Sequence, residues 1–174
     1  LSTYSELLPK INTEVKDGVL NVYSSAVSLK NPVVLSITVD SISSIVAQGA
    51  CDIKTLSEIR TSSNLTIALH GASKADLRTN VLGTIDMDLK GASKVDLEGK
   101  ANTLKIDAAG ASKISAEDLR AAHVFISLGG ASEADVYASE SIDAKAAGAS
   151  KIKCSGKPKS VINSTGLASS FHLN

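Results

Sequence analysis

Tryptophan is absent from this 174-residue chain, aromatic residues make up only 3% of it, and there are three prolines and one methionine. With so few large side chains, a core must be thin and built by stacking short aliphatic and small residues. No sign of charge is in excess. Eighteen basic and eighteen acidic residues give a formal net charge of zero, which excludes the long-range field that would favour nucleic acid or an anionic membrane. No window holds the roughly 18 consecutive apolar residues of a membrane span. The first ten residues, LSTYSELLPK, are too polar for a signal peptide. The chain is therefore either cytosolic or a mature or trimmed form, and composition does not choose between these.

What is present in abundance is a repeat. The segments QGACDIK from Gln48, HGASKADL from His70, KGASKVDL from Lys90, AGASKISA from Ala109, GGASEADV from Gly129 and AGASKIKC from Ala147 share one motif, and a degenerate copy, TGLASSFHL, starts at Thr165. The motif glycines Gly49, Gly71, Gly91, Gly110, Gly130, Gly148 and Gly166 are 22, 20, 19, 20, 18 and 18 residues apart. A fixed period of this length marks a solenoid.

Six, four and two positions before each glycine stand apolar residues, as in Ile85, Met87, Leu89 and in Val124, Ile126, Leu128. Four and six positions after it they return, as in Val95, Leu97 and in Ile152, Cys154. Alternation with period two places one face of a strand inward. Each unit thus reads as strand, Gly-Ala-Ser corner, strand and polar return, such as RTNVLG or EGKAN. Such a unit cannot bury its apolar face alone, but stacked at about 4.8 Å it pairs in parallel with its equivalents above and below. The expected fold is all-β: a single-stranded parallel β-helix, of right hand, with about seven rungs of 18–22 residues. It should occupy residues 1–174 as one domain. Residues 1–40 would form an N-terminal cap and first rung, with strands at Val19–Ser25 and Val33–Val39. Regular repeats would fill 41–156, and a last rung and cap 157–174. LSTYSELLPK reads as a short helix or an extended arm.

The repeated G-A-S-K-[VI]-x-[LVC] units, together with the upstream stretch VVLSITVDSISSIVAQGA, resemble the GIN domain, the head of auto-transporter adhesins of Gram-negative bacteria. The resemblance runs from about Val19 to Leu173. It implies a β-helical fold, export to the periplasm or cell surface and an adhesive role, and it brings no catalytic residues.

Two outward faces carry candidate chemistry. After each corner, Lys74, Lys94, Lys113 and Lys151 line up beside Asp76, Asp96 and Asp135. The simpler account is a solvated, salt-bridge-laced face; the functional one is a flat polar docking surface. Before each corner, Asp86, Asp88, Asp107 and Asp143 project with Lys90, Lys105, Lys145 and Phe125. Asp88 and Asp107 fall at the same place on neighbouring rungs, about 5 Å apart. Such a pair could hold calcium or act as acid and nucleophile of a glycosidase, but three lysines neutralise the cluster.

The histidines His70, His123 and His172 occupy three different repeat positions, so no imidazole column and no metal site is expected. No serine sits in a nucleophile elbow or has an evident histidine partner. Cys51 and Cys154 are about five rungs, roughly 24 Å, apart, beyond the reach of a disulfide. The expectation is a non-catalytic, exported binding or structural module. It needs no cofactor, and its partner would be a glycan or a cell-envelope or surface protein. The alternative is a carbohydrate-active or calcium-binding β-helix using the aspartate cluster.

Overall fold

The computed structural model describes residues 11–24 and 33–174. The chain divides into two compact units, residues 1–40 and 41–174, which are described separately. In the first, β1 (Ile11–Lys16) and β2 (Val19–Ser24) pair antiparallel. They are joined by Asp17-Gly18, both at positive φ, the geometry of a two-residue turn that matches strand twist. The Asp-Gly pair between alternating residues was the signal for β1, a strand the reading by repeat did not contain. The expected strand at Val33–Val39 is not formed, and Val34 makes only an isolated bridge. Its β-branched composition suits a strand, but Val34, Ile37 and Val39 are exposed, and without a partner strand propensity decides nothing. The LSTYSELLPK segment lies outside the described residues.

The second unit is a parallel β-solenoid of about six coils, with no helix among the described residues. Its strands are β3 (Ser44–Gly49), β4 (Asp52–Lys54), β5 (Ile59–Thr61), β6 (Leu65–Gly71), β7 (Lys74–Gly91), β8 (Lys94–Gly110), β9 (Lys113–Gly130), β10 (Glu133–Ala146), β11 (Lys151–Ser155), β12 (Ser160–Thr165) and β13 (Ser170–Leu173). Equivalent positions pair coil to coil: Ile45, Ile67, Met87, Ile106, Ile126 and Ala144 form one inward column, and Ala75, Val95, Ile114, Ala134 and Ile152 another. From Leu65 to Cys154, the apolar positions that alternation assigned inward are all buried.

At the corner, the glycine takes positive φ, 99° at Gly91. A Cβ there would lie 2.5 Å from the carbonyl oxygen of Gly71 in the coil before, so only glycine lets consecutive coils approach this closely. The motif serine turns inward. Ser73, Ser93, Ser112, Ser132 and Ser150 are buried, and their hydroxyls donate to corner and strand carbonyls, Ser73 to Gly49 at 3.2 Å and Ser150 to Ala147 at 2.9 Å. A buried hydroxyl without such an acceptor would be costly. The motif alanines face out.

Two sequence expectations are corrected here. The polar returns are themselves strand, with an inward face of their own. Pairing continues along β7, β8 and β9 through Thr79–Val81, Gly99–Ala101 and Leu119–Ala121. Thr79, Val81, Ala101, Leu119, Ala121 and Ala138 are buried, so the coil has a third inward stretch. Its outward side chains, Arg78, Asn80, Lys100 and Arg120, gave it a polar appearance in the sequence. The last motif copy is also out of step by one. The flanking strands pair Thr165 with Ala146 and Ser170 with Lys151, which puts Leu167 at the corner place in line with Gly148. Leu167 is fully exposed and Gly166 has no positive φ. Register follows strand pairing, not the glycine letter. Cys51 and Cys154 are both free. Cys154 is buried in the core, and burial pushes its thiol above the ordinary range.

Candidate functional site

The pre-corner face brings together the residues expected there. Asp86, Lys105, Phe125 and Asp143 form one outward column, and Asp88, Asp107, Ser127 and Lys145 the next. Asp88 and Asp107 are register neighbours. Two of the four carboxylates, Asp86 and Asp88, are engaged, whereas Asp107 makes no ion pair among the described residues and Asp143 Oδ1 is buried without a hydrogen-bond partner. Asp88 is hydrogen-bonded by Lys90 at 2.7 Å and lies 3.3 Å from His70 Nε2. Lys105 reaches Asp86 at 3.4 Å. The Lys90 hydrogen bond, opposed by partial burial and aided by His70, holds the Asp88 carboxyl below its usual range. It is ionised at neutral pH and has no proton to donate as a general acid. Phe125 is 47% exposed between Lys105 and Asp143. Among the described residues, no three His, Cys, Asp or Glu side chains are grouped so as to hold a metal ion.

The post-corner face is a braid of ion pairs. Lys74, Lys94, Lys113, Glu133 and Lys151 stack in register, so Glu133 interrupts the lysine column and lies within 4.0 Å of Lys113, Lys151 and Lys153. In the next column Lys54, Asp76, Asp96, Ser115, Asp135 and Lys153 follow one another. Lys54 pairs with Asp76 at 3.5 Å, Lys94 with Asp96 at 3.0 Å, and Lys153 with Asp135 at 3.3 Å. Burial pushes the Asp96 carboxyl up, but hydrogen bonds from Lys94 and Ser115 outweigh it and hold the group below its ordinary value. Nearly every charge here is matched by a neighbour of opposite sign, and exposed pairs of this kind contribute little each.

The third face is the one the sequence reading passed over. A broad, open depression crosses four successive coils of the return stretch. Asn80, Lys100, Asn102, Arg120, Tyr137 and Ser139 supply its polar groups, while Val81, Ala101 and Ala121 lie at its floor. Asn80, Lys100 and Arg120 are register neighbours. The Arg120 guanidinium lies 4.2 Å from the centre of the Tyr137 ring, a cation–π contact that orients it. The Tyr137 ring also lies close to the backbone of Gly156, where an added Cβ would be 3.1 Å from it. One signal could have found the face. The basic or amide residues Arg60, Asn80, Lys100 and Arg120 recur at one place in the period.

Adjacent to it, a smaller depression is lined by Asp76, Asp96, Glu98, Glu117 and Asp118. One serine does have a histidine partner, contrary to expectation. His123 Nδ1 and Ser141 Oγ are 2.8 Å apart on neighbouring coils. Among the described residues no third group is hydrogen-bonded to that imidazole as a triad requires, and Glu140 beside it is bound to Lys159 at 2.7 Å.

Residues 1–158 match the family described as "Putative auto-transporter adhesin, head GIN domain". Two crystal structures share the fold. A "putative adhesin" from Bacteroides fragilis is 24% identical, with a TM-score of 0.82 over 97% of this chain and 78% of that one. A "putative lipid binding protein" from Parabacteroides distasonis is 18% identical, with a TM-score of 0.61 over 97% of this chain and 80% of that one. No curated protein matches the sequence significantly.

Proposed function

We propose that this chain, which belongs to the GIN head-domain family, is a non-catalytic binding module that is exported and works at the cell surface or in the envelope. The observation that carries this reading is the engagement of Asp88 within the register pair Asp88 and Asp107. Asp88 is tied to Lys90 and His70 and has no proton to donate, so the acid that a glycosidase needs would have to come from the exposed Asp107. The coil faces are broad and shallow rather than cleft-like, which suits recognition of an extended partner over several coils. The family's description as an adhesin head and the name of the Bacteroides fragilis structure point the same way.

The purified chain should release no reducing ends or unsaturated products from plant, host or bacterial polysaccharides, and calcium should leave its melting temperature unchanged. Turnover that Asp88→Asn or Asp107→Asn alone abolishes would replace this reading with the carbohydrate-active one, because acid and nucleophile roles cannot be shared out. A calcium-dependent rise of several degrees would indicate a cation site selective for the folded state.

A further inference from the structure

Most charges of the solenoid have an ion-pair partner; among the described residues the cations Lys74, Lys100, Arg120, Lys145 and Lys157 make none, and of these only Lys100 and Arg120 are register neighbours. Arg60 is bound to Glu58, Arg78 to Glu98, Lys90 to Asp88, Lys105 to Asp86 and Lys94 to Asp96. Lys100 and Arg120 pair in register on adjacent coils, and among the described residues neither makes an ion pair. Like charges directly opposite in a sheet are unfavourable. Here the repulsion has no matching acid, although Glu98 and Asp118 stand two residues before them. Tyr137 holds the Arg120 guanidinium from one side, leaving its N–H edges open to the depression.

Building on the binding-module reading, we propose that the return face binds a carboxylated saccharide chain, with a uronate carboxylate seated between Lys100 and Arg120. A guanidinium and an ammonium at coil spacing form an anion seat, and the planar guanidinium fork matches a carboxylate in particular. Asn80, Asn102 and Ser139 offer donors and acceptors on the neighbouring coils, the pairing that sugar hydroxyls need. Three coil spacings, about 14 Å, suit a few sugar units laid across the strands. Other partners fit less well. An acyl chain needs an enclosed apolar cavity, and this depression is open. A peptide adding as a strand needs a free sheet edge, while β7, β8 and β9 are paired on both sides here. Nucleic acid needs a wide positive field, and the neighbouring depression is acidic.

The test is calorimetric titration of the whole chain with trigalacturonate and with a neutral galactose trimer, repeated for Lys100→Gln, Arg120→Gln and the double variant. Amide chemical-shift mapping of the acidic trimer runs alongside. The acidic trimer should bind, the neutral one at least about tenfold more weakly. The double variant should lose at least about tenfold, and Lys94→Gln on the post-corner face should lose nothing. Shifts should centre on Asn80, Lys100, Arg120 and Tyr137. Absence of binding, equal affinity for the neutral trimer, an unaffected double variant, or shifts centred on another face would each overturn the assignment. Because both side chains are exposed, the variants should melt with the wild type. Retention of some other glycan that the double variant still binds would overturn this proposal while leaving the binding-module reading in place.

Discussion

Replacing Gly99 by alanine is expected to lower stability by more than about 3 kcal/mol. Gly99 lies within β8 at a φ of 114°, a region closed to residues with a side chain. A Cβ there would also run into the Thr79 carbonyl of the previous coil. The obstacle is backbone on a paired strand, so it cannot rotate away. Relief requires breaking pairing between β7 and β8 or opening the coil, and in a solenoid each coil is held only by its neighbours. Gly129→Ala is the control. Gly129 has no positive φ, and the nearest atom to its Cβ would be at 3.8 Å, so its stability should stay within about 0.5 kcal/mol of wild type. Denaturant midpoints of the two variants decide the matter, and equal midpoints would contradict the coil-to-coil contact at Gly99.

Leu89→Ala should cost roughly 2–5 kcal/mol. Leu89 is completely buried, with Leu69 before it and Ala108 after it in the same inward column. With Ala108 already small and no aromatic ring nearby in the column, the neighbours cannot collapse far into the space, so most of the cavity penalty should remain. Lys94→Ala, on the outward face, should fall within about 0.5 kcal/mol, since its partner Asp96 keeps Ser115 and solvent as alternatives. Equal losses from the two substitutions in chemical unfolding would refute the inward and outward assignment.

How much of this was legible beforehand varied with the physics involved. Alternation is a local rule, so the inward columns from Leu65 to Cys154 could be read directly from spacing, as could the register pairing of Asp88 with Asp107. The return stretch was harder. Four of its six inward positions, Thr79, Ala101, Ala121 and Ala138, are too small or too polar to stand out as core, and the two aliphatic ones, Val81 and Leu119, lie on different coils. They are buried because flanking strands force the chain to stay paired. The same stretch carries Lys100, Arg120 and Tyr137, whose convergence depends on register across three coils and on the coil shift beyond Val136. Gly166 misled because a glycine beside Ala-Ser resembles the corner, while register is set by the strands on either side. At Asp17-Gly18 the hairpin signal was local and readable, but it has no place in the repeat. The match of His123 with Ser141 needed register as well, since the two residues are 18 apart in the chain.

The most direct measurement of the central claim is binding of the purified chain to a broad array of host and bacterial glycans and envelope components, with product release followed in the same wells. The account predicts retention of an extended ligand with no product, and retention that survives loss of any single carboxylate on the Asp86–Asp107 face. Product formation, or binding that disappears when Asp88 or Asp107 alone is neutralised, would contradict it.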